Sequence, residues 1–174
     1  RRLLDEGDAA AALALYEALS AGAEDTPEIA RDARSGQAEA LAQLGELDAA
    51  VSVWRELLAD DPSTEERLGL ELQLAHGLLQ GGDPAEASSA FRALSESADP
   101  DIRFQGLLGL AEVARALGET ERARGIFRQV ADQSPDPAYQ VHALQELADL
   151  AAAQERTSDA LEALRALVAA APPG

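Results

Sequence analysis

Apolar residues recur along the chain in triplets with helical spacing. Ala12, Tyr16 and Leu19 form the first, followed by Ala50, Trp54, Leu57; Ala87, Phe91, Leu94; Ala123, Phe127, Val130; and Ala160, Leu164, Leu167. Positions four and then three apart share one face of an α-helix. Each triplet begins five residues after the start of a short turn motif. The motifs are Gly7-Asp8, Gly45-Glu46, Gly82-Asp83, Gly118-Glu119 and a degenerate Glu155-Arg156, spaced 38, 37, 36 and 37 residues apart. Chance does not align three apolar columns behind five such turns. The period predicts a repeated two-helix unit.

Each column has a physical reason. Glycine suits a tight turn at a helix end, where positive φ is costly for other residues. Alanine allows two helices to cross closely. The large residue fills the space between helices, and the third extends the same stripe. A second helical stretch precedes each turn, with a small residue seven positions before it at Ala38, Ala75, Ala111 and Ala148. Leu74, Leu110 and Leu147 stand before the last three of these. Thr26-Pro27, Asp99-Pro100 and Asp136-Pro137 place a capping acceptor ahead of a first-turn proline, and Ser63 to Glu66 has the form of a capping box. Pro62, Pro135 and Pro172 are placed to stop the second helices.

This arrangement resembles the tetratricopeptide repeat family. Ala38, Gly45, Ala50, Trp54 and Pro62 match its small residue, turn glycine, alanine, aromatic and closing proline, with comparable matches in the next two copies. The resemblance implies an all-α solenoid, a right-handed superhelix of stacked antiparallel hairpins, spanning residues 1–174 as one array. The expected units are 1–25 (incomplete), 26–62, 63–98, 99–135 and 136–174. The copies are longer than the family's usual 34 residues or so. Arg34, Leu107 and Leu144 occupy early helix positions where the family places aromatics. The first copy lacks its leading helix and the last lacks a polar capping helix. Leu161, Leu164, Val168 and Ala171 are therefore expected to be partly uncovered, as in a segment of a longer array or one whose ends pair with another copy.

Composition agrees with helix. There are 39 Ala and 27 Leu, but only 13 Val, Ile and Thr together. Lys+Arg number 14 and Asp+Glu 32, for a formal net charge of −18. Such a chain is repelled by nucleic-acid phosphates and by anionic membranes. All the basic residues are Arg, and Lys, Asn, Met and Cys are absent. The missing types point to a GC-rich bacterial source more than to a salt-adapted protein. Without cysteine there is no disulfide, thiolate–zinc site or thiol catalysis, and cytoplasm and periplasm are both open. No apolar run reaches the roughly 18 residues of a membrane helix.

By the resemblance, first helices line a concave groove and second helices its convex back. Three groove rows follow: Glu39, His76, Glu112, Asp149; Ser35, Leu72, Leu108, Gln145; and Asp32, Gly69, Gln105, His142, with Leu79 and Arg115 deeper. The clamp with which some family members grip C-terminal carboxylates uses Lys, Arg and Asn, whereas this row is carboxylate and His. The expected partner is a protein or peptide that is basic or apolar rather than acidic-tailed. Either the groove is tuned acidic, or the array is acidic all over. Leu72, Leu79 and Leu108 are the candidate anchors.

Other chemistry finds little support. His76 and His142 lie 66 residues apart in non-adjacent copies, awkward for one metal with Glu112 or Asp149. They suit groove histidines whose titration could tune binding. Trp54 sits in the core column, which favours packing over a binding hot spot. Phe104 and Tyr139, outside the columns, either pack between copies or mark an exposed contact. Without a phosphate loop, a nucleophile elbow or a calcium loop, neither catalysis nor a cofactor is expected. The leading expectation is a non-catalytic binding scaffold, of the adaptor kind bacterial members often provide. The alternatives are a spacer or self-assembling segment acting through its terminal helices, and a small-molecule sensor built on His76, Arg115 and nearby carboxylates.

Overall fold

The computed structural model describes Leu4 and residues 8–23, 26–60 and 62–170, with side chains through 168. Gly7, Ala171 and Pro172 of the sequence pattern lie outside them. The described residues form nine helices and no strand: α1 (Ala9–Gly22), α2 (Pro27–Gln43), α3 (Leu47–Ala59), α4 (Thr64–Gln80), α5 (Pro84–Ser95), α6 (Pro100–Ala116), α7 (Thr120–Gln133), α8 (Pro137–Ala153) and α9 (Thr157–Ala170). Two compact units result, residues 1–87 and 88–174, with the division inside α5. In the first unit α1 packs on α2, α2 on α3 and α3 on α4; in the second α6 packs on α7, α7 on α8 and α8 on α9. Helices adjacent in sequence are thus neighbours in space, the arrangement of a helical-repeat solenoid.

The turn motif works as its composition predicts. Gly45, Gly82 and Gly118 have φ of 79°, 85° and 74°. The residue after each donates its N–H five positions back, to Leu41, Leu78 and Ala114 at 2.9, 2.9 and 2.8 Å. The glycine N–H groups donate to Ala42, Leu79 and Arg115. These are Schellman closures, which satisfy carbonyls left over at the helix end. Glu155 makes the same closure with φ of 57°, Arg156 N–H reaching Ala151 at 2.9 Å.

Helix starts are mostly as expected. Asp99 accepts from the N–H groups of Asp101 and Ile102, Asp136 from Ala138, and Ser63 with Glu66 closes a full capping box. The Ser63 hydroxyl and N–H both donate to the Glu66 carboxylate, and these hydrogen bonds hold its pKa below the ordinary value. Thr26 departs from expectation. It precedes Pro27, but its side chain caps no helical N–H; its hydroxyl donates back to Ala23 O at 3.4 Å.

The apolar columns form the core. Ala50, Ala87, Ala123, Trp54, Phe91, Phe127, Leu57, Leu94 and Val130 are all buried. So are Ala38, Ala75, Ala111 and Ala148 on the preceding helices. Trp54 is therefore a packing residue, although its Nε1 is buried without a hydrogen-bond partner among the described residues. Phe104 is buried in the core of the second unit, and Tyr139 stacks on it with centroids 6.3 Å apart. Leu107 and Leu144 pack against the same core. Arg34, the third departure from the family pattern, bridges helices instead. It pairs with Glu56 at 2.5 Å and Asp60 at 3.3 Å, while Arg31 donates to the Asp60 carbonyl at 2.7 Å, so two arginines of α2 tie down the end of α3.

Candidate functional site

Between α2 and α4 lies a cleft of about 240 Å³, floored by Leu57 and Leu70. Its walls are Arg31, Asp32, Ser35 and Glu39 from α2, and Glu66, Gly69 and Gln73 from α4. Helical periodicity explains the α2 set: Asp32, Ser35 and Glu39 are three and four apart and share one stripe. Gly69 leaves its side of the cleft open, with no heavy atom near the place a Cβ would occupy. Gln73 Nε2 donates to Glu39 Oε1 at 2.9 Å, fixing that carboxylate on the wall. Three carboxylates face one arginine, with Arg31 only 4.0 Å from Glu66. The cleft therefore favours cationic groups over an apolar floor.

A neighbouring cleft, about 460 Å³, opens between α1 and α2. It shares Asp32, Ser35 and Glu39 and adds the apolar Tyr16, Leu19 and Ile29.

The sequence-predicted groove residues divide by unit. In the first, Glu39 lines the cleft, and Leu72, His76 and Leu79 stand half-buried on α4. In the second, Glu112 and His142 are half-buried, whereas Arg115, Gln145 and Asp149 are exposed. Arg115 faces Glu146 across α6 and α8 at 3.9 Å. Leu108 corrects the expectation of an exposed anchor. It is only 8% exposed and belongs to the core with Phe104, Phe127 and Leu147, because Phe104 one turn earlier turns that face inward.

Sequence reasoning missed Glu66 and Gln73. In the sequence Glu66 reads only as a cap, yet its position on the first turn of α4 also puts it on the cleft wall. The signal for Gln73 was the repeat register, which sets it beside the groove row of Ser35 and Leu72. Among the described residues, no group of three His, Asp or Glu side chains converges as a metal site, and no helix is long and apolar enough to cross a membrane.

Two other clefts lie away from these walls. One in the first unit is bordered by Asp48, Val51, Arg55, Asp83 and Glu86, with Arg55 and Glu86 paired at 2.6 Å. One in the second, near 130 Å³, is bordered by Arg124, Arg128, Asp132 and Asp159 over Leu144 and Leu147.

Comparison with known proteins bears on this architecture. The tetratricopeptide repeat family model matches residues 1–64 and 72–138. No match is found among curated proteins. Among solved structures, the chain is similar to a Podosopora anserina putative kinesin light chain with nearly identical TPR-like repeats. That match has 21% identity, covers 98% of this chain and 90% of the other, and has a TM-score of 0.73. It is also similar to a MamA RS-1 ArsTM double mutant, at 19% identity, 97% and 88% coverage and TM-score 0.68. BtubC (BKLC) from P. vanneervenii follows at 18% identity, 99% and 79% coverage and TM-score 0.65. At these identities the likeness concerns the fold, and the fold agrees with the turns, columns and helix pairing described above. On the match of its repeats, this chain belongs to the tetratricopeptide repeat family.

Proposed function

We propose that the protein is a non-catalytic binding scaffold whose α2/α4 cleft receives a basic, partly apolar segment of a partner protein. The carrying observation is the wall itself: Asp32, Glu39 and Glu66 stand over Leu57 and Leu70, with Arg31 as the one cation among the lining residues. An Arg or Lys side chain spanning this wall exchanges water for carboxylates while its alkyl stem lies on the leucines. An acidic tail meets three like charges. The family's common role as a protein-interaction scaffold supports this reading, as does the helix-to-helix bracing of Glu39 by Gln73, which preorganises the wall.

The test is direct binding of three synthetic amphipathic peptides with one shared apolar face and a basic, neutral or acidic polar face. The basic peptide should bind most tightly, and its affinity should fall as salt rises. The double substitution Asp32→Arg, Glu39→Arg should abolish that preference. Equal binding of all three peptides, or none, would remove the proposal.

A further inference from the structure

We propose that the segment received by the α2/α4 cleft is an amphipathic helix carrying two cationic side chains three turns apart, with no cation midway between them. This rests on the reading of that cleft as a site for a basic segment, and adds the spacing the partner must have. The cleft continues beyond its own walls. A second cavity, about 510 Å³, adjoins it toward the start of α2 and is lined by Pro27, Glu28, Arg31, Asp32 and Glu66. Arg31, Asp32 and Glu66 line both cavities and so mark their boundary. Of the two cavities, Glu28 lines only the outer and Glu39 only the inner. Glu28, Asp32, Ser35 and Glu39 follow one another at four, three and four residues, a single stripe of α2.

Charge along this groove runs negative, mixed, negative. The mixed middle is held in place. Arg31 Nη2 donates to the Asp60 carbonyl at 2.7 Å, Arg31 Nη1 stands 4.0 Å from Glu66, and Glu66 is itself bound by Ser63. A ligand cation at the middle therefore meets the Arg31 guanidinium, whereas one at either end meets Glu28 or Glu39. Those two carboxylates are eleven residues apart on α2, about 16 Å at the helical rise. A helix lying along α2 covers this distance in eleven residues, and three turns bring its side chains back to the same face. An extended strand covers it in about five residues, which leaves the two side chains on opposite faces. Of these two conformations only the helix meets both conditions. Leu57 and Leu70 floor the inner cavity and not the outer. The apolar residues of the ligand helix accordingly flank the cation that pairs with Glu39.

The experiment measures, by calorimetry, the binding of helical peptides of one composition whose two arginines stand four, seven or eleven residues apart. Circular dichroism checks that their helicity matches. The peptide of spacing eleven should bind about five-fold more tightly than that of spacing four, the worth of one well-formed exposed ion pair, with spacing seven between them. A third arginine midway along the spacing-eleven peptide should bring no gain, although it raises the net charge. Glu28→Gln should erase the advantage of spacing eleven over spacing four, its fold being checked by circular dichroism. Equal binding of the three isomers, or tightest binding at four or seven, would overturn the spacing and leave the reading of the cleft as a basic-segment site standing. A gain from the middle arginine, or a spacing preference that survives Glu28→Gln, would overturn it as well. Absence of binding by every peptide would remove the basic-segment reading and this inference with it.

Discussion

The ring of Phe91 lies directly on the backbone of Gly109: a Cβ built at Gly109 would stand 2.2 Å from both Cδ1 and Cε1 of the ring. Trp54 covers Gly77 in the same manner, with Cζ3 at 2.4 Å, and Tyr16 covers Gly36 at 2.4 Å. A glycine inside a helix costs about 1 kcal/mol against alanine. Here that cost is offset by letting an aromatic of one helix settle onto the next. Gly109→Ala should therefore destabilise the protein by about 1–3 kcal/mol, as overpacking outweighs the gain in helix propensity. Gly125 on α7 is the control, since nothing lies within 4 Å of its Cβ site. Gly125→Ala should stabilise by up to about 1 kcal/mol. Paired denaturant titrations decide this; equal effects at the two sites would show that the ring contact is unimportant.

Glu155 adopts the left-handed conformation that glycine supplies in the other turns. That conformation costs a residue with a Cβ roughly 1–2 kcal/mol. Glu155→Gly should raise stability by about 0.5–1 kcal/mol, part of the relief being returned as unfolded-chain entropy. Gly118→Ala should lower stability by at least as much. A thermal unfolding midpoint that falls in Glu155→Gly would count against this account of the fifth turn.

Trp54 fills a core column with its indole nitrogen unpaired. Trp54→Ala should cost about 3–5 kcal/mol. Trp54→Phe should cost less than about 1.5 kcal/mol, because it also removes a buried donor that makes no hydrogen bond. If the phenylalanine variant is as unstable as the alanine variant, the indole N–H has a partner after all.

Tyr139 connects α8 to α6 by donating its hydroxyl hydrogen to the Asp101 carboxylate. Burial, and then this hydrogen bond, push its pKa from 10.0 to about 12. The folded chain thus holds this proton more tightly than the unfolded chain. The resulting stabilisation is complete below pH 10 and is lost as pH rises toward about 12. Ultraviolet titration of tyrosinate should show a step near pH 12, and Tyr139→Phe should remove that step. Asp101→Asn should bring it to lower pH. Ionisation of Tyr139 near pH 10 would contradict the contact.

Much of this structure was legible because its signals are local and repeated. A glycine before an acidic residue, an alanine five positions on and an aromatic four beyond it specify turn, crossing and core without knowledge of the whole. The Schellman turns at Gly45, Gly82 and Gly118 and the buried Trp54, Phe91 and Phe127 follow from that register. Residues whose role depends on a neighbouring helix were harder. Leu108 fits a groove row by register, yet Phe104 beside it draws that face into the core. Glu66 reads as half of a capping box, and only the approach of α2 to α4 makes it a cleft wall. Gly36, Gly77 and Gly109 carried a signal in being helical glycines, but which ring each one meets depends on packing. Arg34 stands where the family places an aromatic, and its ion pairs with Glu56 and Asp60 become visible only when α3 lies alongside.

The central claim is that the acidic wall between α2 and α4 is where a partner binds. The most direct measurement is a backbone amide spectrum of the isotopically labelled protein, titrated with the basic amphipathic peptide. The account predicts that shifts concentrate at Asp32, Ser35, Glu39, Glu66 and Gln73 and disappear with Asp32→Arg, Glu39→Arg. Shifts centred instead on Asp48, Val51, Arg55 and Glu86 would place binding in the other cleft that these residues border and contradict it.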